Sequence, residues 1–142
     1  MKTIFIKESE QKRDWFIIDA AGKPLGRVAA KAAAVLRGKH MATFTPNQNM
    51  GGFVVIINAD KVIVTGKKRD NMLYRHYTGY VSGLREESFA KLIARRPAEP
   101  LTRTIKGMLP HTRLGRKMIH NLRVYAGEDY PQKSQNPKPL EI

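Results

Sequence analysis

The order of apolar and polar positions predicts alternating strands and helices in the first part of the chain. Residues 15–18 form an apolar run that ends at Asp19, which is typical of a buried strand. Residues 53–57 are apolar at consecutive positions, which predicts a strand covered on both faces, as in a parallel sheet. Residues 24–37 between them are predicted to form a helix with Pro24 at its first position and Gly38 at its end. The apolar stripe of this helix consists of Leu25, Val28, Ala29, Ala32, Val35 and Leu36.

The rest of the chain continues this alternation with shorter elements. Residues 62–65 and 74–80 have the composition of strands. Acidic Glu86-Glu87 and basic Arg95-Arg96 are placed to complement a helix dipole. This pattern predicts a helix that begins at the two glutamates and ends at the two arginines. The last predicted elements are a short helix over 101–109, a helix over 114–121 and a strand over 122–125. Strands separated by helices indicate an α/β fold with a mostly parallel sheet.

The length and composition predict one domain with two short flanking segments. A chain of 142 residues with 42% hydrophobic content is sufficient for a single packed core. We expect an N-terminal extension over residues 1–12, one α/β domain over 13–127 and a proline-containing extended tail over 128–142. The chain contains no cysteine, which excludes a disulfide framework, a thiolate metal site and a cysteine nucleophile.

The sign of the charge is the unusual feature of the composition. Lys and Arg together number 26 and Asp and Glu 12, which leaves a formal net charge of +14. Such a polycation is expected to bind a polyanion, either nucleic acid or an anionic membrane. The longest apolar run, residues 53–57, is far shorter than the ~20 residues that span a bilayer, so no membrane partner is expected. Charged residues begin too early in the N-terminus for a secretory signal, which favours a cytoplasmic protein.

The basic residues are concentrated where acidic residues are absent. No acid lies between Asp19 and Asp60 or over residues 100–127. Helices exposed to solvent normally mix both signs of charge, so these acid-free segments indicate a phosphate-binding surface. Residues 74–80 interleave tyrosines with cations, which suits stacking on unpaired bases, although a half-buried strand would have the same composition. The residues predicted to contact RNA are Lys23, Arg27, Lys31, Arg37, Lys39, Lys67, Lys68, Arg75, His76, Arg95, Arg96, Lys106, Arg113, Arg116 and Lys117.

Signals for catalysis are weak by comparison. No two histidines lie at zinc-ligand spacing, and neither a dinucleotide nor a Walker glycine pattern is complete. Asp19, Asp60 and Asp70 are the candidates for a catalytic cluster, but Asp19 and Asp60 also suit a turn or a helix cap. Two alternatives to a structural RNA-binding protein therefore stay open. One is an RNA-directed nuclease or modifying enzyme on a Rossmann-like fold, and the weaker one is a protein that compacts DNA.

Several short motifs occur together and in order over residues 13–127. They include Leu25-Gly26-Arg27, Asn58-Ala59-Asp60-Lys61-Val62, Tyr74-Arg75-His76, Lys106-Gly107-Met108-Leu109-Pro110 and Leu122-Arg123-Val124-Tyr125-Ala126-Gly127. In this combination the chain resembles the bacterial family of large-subunit ribosomal proteins numbered thirteen. It departs from the family pattern at residues 111–113, at Asn47, at residues 50–53 and in the tail, so contacts are not carried over at those places.

The resemblance implies a fold, a function and a set of partners. The implied fold is a three-layer α/β/α Rossmann-like domain around a four-stranded, mostly parallel sheet, with basic loops. The implied function is that of a structural constituent of the large ribosomal subunit, which binds large-subunit ribosomal RNA and helps early subunit assembly in the cytoplasm. Neighbouring large-subunit proteins are the expected partners, and the protein's own messenger RNA is a further one. Family members are not enzymes and need no cofactor, so none is expected here.

Overall fold

The computed structural model describes residues 6–142, so the start of the predicted N-terminal extension, residues 1–5, lies outside the described residues. The strands are β1 (Trp15–Asp19), β2 (Phe53–Ile57), β3 (Leu73–Tyr77), β4 (Leu84–Ser88), β5 (Leu122–Val124) and β6 (Lys138–Pro139). The helices are α1 (Leu25–Arg37), α2 (Lys68–Asn71), α3 (Phe89–Arg95), α4 (Ala98–Met108) and α5 (Arg113–Ile119). Short 3-10 helices lie at Glu8–Glu10, Ala59–Lys61 and Pro131–Gln135.

A parallel sheet of four strands in the spatial order β5-β2-β1-β6 forms the centre of the protein. β2 lies inside this sheet, and its middle residues Val54, Val55 and Ile56 are fully buried. Because neighbouring side chains on a strand point to opposite faces, this burial means that both faces of the sheet are covered. The structure confirms the α/β class, the four-stranded parallel sheet flanked by helices and the predicted cover on both faces of residues 53–57.

Helix α1 follows β1 and packs against α4. Pro24 has extended backbone (φ −64°, ψ 131°) and therefore precedes the helix rather than occupying its predicted first position. Gly38 adopts the left-handed conformation (φ 82°), and its N–H donates to the carbonyls of Ala34 and Val35, so the helix ends where the glycine predicts. All members of the predicted apolar stripe are buried, and they join β2 and α4 in one core.

The largest correction concerns residues 73–88, which form an antiparallel hairpin of β3 and β4. Glu86 and Glu87 were predicted to open a helix, but they lie in β4, opposite Arg75 and Tyr74 of β3, and the helix begins at Phe89. The prediction was wrong because cross-strand partners decide the state of these two glutamates, and a charge pattern along one segment does not contain that information. The predicted strand over residues 74–80 ends at Tyr77, before a turn with Gly79 and Ser82 in the left-handed region.

Two further segments differ from the expected arrangement. Residues 62–65 form no strand, and only Ile63 makes an isolated parallel bridge to Pro24. The tail returns to the sheet, where β6 pairs with β1 and the N–H of Leu140 donates to the carbonyl of Ile17 at 2.9 Å. Lys138 also forms an ion pair with Asp14 at 2.8 Å. Within residues 6–142, no helix combines the length and apolar character that a membrane crossing requires.

Candidate nucleic-acid interface

The beginning of α1 brings two of the basic segments together. Arg27 and Lys31 are exposed on α1, and Lys23 is half-buried in the turn before it. The backbone bridge between Pro24 and Ile63 holds the segment after β2 against this turn. As a result, Arg27 and Lys68 line the same cleft although they lie far apart in the sequence.

The end of α1 forms a second basic surface beside the end of α4. Arg37 and Lys39 line a cleft with Met108, the last residue of α4. Arg37 is half-buried with its guanidinium 5.7 Å from the centre of the Phe44 ring, and its buried Nε has no hydrogen-bond partner within the described chain. Contact with the aromatic ring restrains the side chain, so the charge is held in place before any ligand arrives.

The third basic surface lies between α4 and α5. Lys106 and Arg116 line one cleft together with His111. The Thr112 hydroxyl caps α5 by accepting the N–H of Gly115 at 3.4 Å. Gly115 is buried against the Pro110 carbonyl, where any side chain would overlap, and this close contact fixes the direction in which α5 leaves the loop. Lys106 and Met108 both lie in the last turn of α4, so the second and third basic surfaces each include a residue from this end of the helix.

Most of the predicted RNA-binding residues have no acidic partner within ion-pair distance among residues 6–142. We call this set the unpaired cations. No ion pair within residues 6–142 neutralises their positive charge, which suits them to phosphate contacts. The members are Lys23, Arg27, Lys31, Arg37, Lys39, Lys67, Lys68, Lys106, Arg113, Arg116 and Lys117.

The remaining arginines of the prediction are held by glutamates around the hairpin. Arg75 pairs with Glu86 at 2.6 Å, Arg95 with Glu87 at 2.5 Å and Arg96 with Glu99 at 3.4 Å. The hydrogen bond from Arg95 holds the pKa of the Glu87 carboxyl below its usual value. A phosphate that bound these arginines would have to displace a carboxylate. Their contact with RNA stays a prediction, as does that of the exposed His76.

Sequence reasoning missed the network that these glutamates form. Glu99 also accepts from Arg103 at 2.5 Å, and this hydrogen bond is the main cause of the lowered pKa of Glu99. Arg103 lies 5.6 Å from the centre of the Tyr74 ring, so the network connects α4 to the hairpin. The four-residue spacing of Glu99 and Arg103 on a helix was the available signal.

The aspartates considered for catalysis do not form a common site. The Asp19 carboxylate accepts hydrogen bonds from the Ala21 N–H at 3.0 Å and from the Asn58 side-chain amide at 2.9 Å, which lower its pKa. It therefore stabilises the turn after β1. Asp60 lines a different cleft, beside Arg69, and no group of three His, Cys, Asp or Glu in residues 6–142 is placed to hold a metal ion.

Comparison with known proteins identifies the family of this chain. A sequence profile of the family described as "Ribosomal protein L13" matches residues 13–131. The chain is similar to the large ribosomal subunit protein uL13 of Treponema denticola, with 58% identity over 142 residues that cover all of both chains. It is 57% identical to uL13 of Treponema pallidum and 50% identical to that of Symbiobacterium thermophilum, each over 99% of both chains. The chain therefore belongs to the ribosomal protein L13 family.

Proposed function

We propose that this protein is a structural constituent of the large ribosomal subunit in the cytoplasm, where it binds large-subunit ribosomal RNA and helps early assembly. The names of its full-length relatives support the subunit. The observation that supports RNA binding is the position of the unpaired cations around one rigid α/β core. Folding of RNA brings phosphates together, and a rigid polycation lowers the repulsion between them.

The proposal assigns different tasks to the basic residues. The unpaired cations contact phosphates and fix the orientation of the protein, whereas phosphate contacts carry no sequence information. Specificity therefore comes from the shape of the folded RNA and from a few unstacked bases. We keep the paired residues Arg75, Arg95 and Arg96 as secondary contacts, because each must first lose a glutamate.

The decisive experiment is sedimentation of tagged protein from a lysate, followed by crosslinking and sequencing of the attached RNA at moderate salt. We expect migration with large ribosomal subunits and crosslinks confined to a few segments of large-subunit RNA. Protein that stays at the top of the gradient, crosslinked to scattered RNA or to DNA, would contradict the proposal.

Membership of a ribosomal protein family implies a structural rather than an enzymatic role. We therefore expect no metal-dependent RNA cleavage by the purified protein. If cleavage were observed and were lost in an Asp60→Ala variant, the nuclease alternative would replace the proposal. Neighbouring large-subunit proteins are further partners. Repression through the protein's own messenger RNA requires that the protein bind this transcript, which is tested by adding the transcript as a competitor of ribosomal RNA.

A further inference from the structure

The two faces of the β3–β4 hairpin differ in their surroundings. Side chains directly opposite each other in an antiparallel pair lie on the same face, and successive residues alternate between faces. Tyr74 and its partner Glu87 therefore share the inner face, which contacts α3 and α4 through Arg95 and Arg103. The outer face carries Leu73, Tyr77 and Leu84, which are exposed.

The outer face is apolar and exposed to an unusual degree. Leu73, Tyr77 and Leu84 are 45%, 62% and 56% exposed. The turn adds Tyr80 and Val81, which are 80% and 96% exposed. An exposed group of large apolar side chains on a soluble protein is typical of an interaction site.

The charges on this face are internally neutralised. The only charged residues among its cross-strand pairs are Arg75 and Glu86, which bond to each other at 2.6 Å. A phosphate that approached this face would have to displace the Glu86 carboxylate before it could bind Arg75. Leu73, Leu84 and Val81 lack the aromatic face on which a base stacks. Tyr77 and Tyr80 have such a face, but tyrosine is also a residue type that is enriched at protein interfaces. The face therefore differs from the surface of the unpaired cations and suits an uncharged polypeptide better than RNA.

The turn that joins the strands is ordered by its own backbone. The N–H of Thr78 donates to the Gly83 carbonyl at 3.0 Å, and the N–H of Gly83 donates to the Tyr80 carbonyl at 2.9 Å. Gly79 and Ser82 adopt the left-handed conformation that this compact turn requires. The apolar tip is thus held in one shape before binding, which lowers the entropy cost of an interface.

We propose that the outer face and tip of the β3–β4 hairpin bind a neighbouring protein of the large subunit through an uncharged segment with aliphatic and aromatic side chains. The inference rests on the proposed function, because it requires that the protein be part of the subunit. In this arrangement one molecule binds RNA through α1, α4 and α5 and a protein through the hairpin.

The test places the photo-reactive amino acid benzoylphenylalanine at Tyr77 or Leu84 of the full chain, with Lys117 as the matched position among the unpaired cations. Large subunits that contain each variant are purified, irradiated and analysed for protein and RNA adducts. From Tyr77 and Leu84 we expect adducts to one apolar segment of the same large-subunit protein, and from Lys117 adducts to RNA. Adducts to RNA, adducts to a second copy of this chain, or no adduct from both hairpin positions would overturn the inference.

A binding measurement with that purified subunit protein completes the test. Tyr77→Thr and Leu84→Thr keep residues that favour strands and remove apolar surface, and we expect each to weaken binding roughly fivefold or more. Lys12→Gln, at an exposed position before β1 and outside both surfaces, is the control and leaves the affinity unchanged. Equal affinity of all variants would refute the inference. If the full chain does not join large subunits at all, both the proposed function and this inference fail. If it joins them but the hairpin positions form adducts with RNA, only this inference is contradicted.

Discussion

Two double variants with the same loss of charge separate phosphate contact from general electrostatic attraction. Arg116→Gln with Lys117→Gln removes two unpaired, exposed cations from α5. Arg95→Gln with Arg96→Gln removes two cations that are held by glutamates. Both variants lower the net charge equally, so long-range attraction to RNA falls by the same amount in each.

The expected difference lies in the salt dependence of RNA binding. Each phosphate contact contributes about 0.7–0.9 to the slope of log K against log salt concentration. If both α5 residues touch phosphates, their double variant has a slope that is shallower by about 1.4–1.8. Between 50 and 200 mM salt, both proteins lose affinity. The fold-loss of the α5 variant is therefore smaller than that of the wild type by a factor of roughly 7 to 12. The paired variant is expected to change the slope by less than one contact, under about 0.7.

Filter binding or fluorescence anisotropy with transcribed large-subunit RNA measures both slopes, and circular dichroism checks that each variant is folded. Equal changes of slope in the two variants would refute the reasoning, because net charge alone would then decide the affinity. An unchanged slope in the α5 variant would remove Arg116 and Lys117 from the phosphate contacts.

Three predictions concern stability. Deletion of residues 136–142 removes β6 and the half-buried Leu140. We expect urea denaturation to show that the free energy of unfolding falls by about 1–3 kcal/mol. An unchanged midpoint would contradict a structural role of the tail. The pKa of Asp19 is lowered in the folded state, so its ionised form stabilises the fold above the unfolded pKa, and this contribution is lost as pH falls through the folded pKa. Asp19→Asn should therefore flatten the acid side of a plot of melting temperature against pH. If the plots of the variant and the wild type ran parallel, the Asp19 carboxylate would not stabilise the turn after β1. Gly51→Ala places a Cβ against the Leu36 carbonyl, and we expect it to lower the free energy of unfolding by about 1–3 kcal/mol. Gly26→Ala is the control on the open side of α1, and we expect it to raise the free energy of unfolding by roughly 1 kcal/mol.

The elements that were predicted correctly are those whose signal is local and repeated. The helical spacing of the α1 stripe, the glycine at its end and the apolar run of β2 each indicate one structure over many residues. The parallel sheet follows from such elements in alternation, so the fold class was accessible from the sequence.

The errors come from residues whose state depends on distant partners. Glu86 and Glu87 are strand residues because β3 places an arginine and a tyrosine opposite them. Lys138 and Pro139 form a strand only because β1 has an unpaired edge, and a lysine-proline pair carries no strand signal of its own. The separation into paired and unpaired cations also depends on tertiary contacts. The composition counts an arginine in the same way whether or not a glutamate lies beside it in the folded protein.

The position of β6 has a consequence for the order in which this protein completes its fold during synthesis. β1 is made early, yet the strand that covers its outer edge lies within the last residues of the chain. β6 is synthesised after every other strand, so this edge of β1 stays open until residues 138–139 have been made and have paired with it. Incomplete chains thus carry an exposed edge that can pair with other strands. The finished chain closes it with a strand whose proline cannot donate a backbone hydrogen bond to a further one.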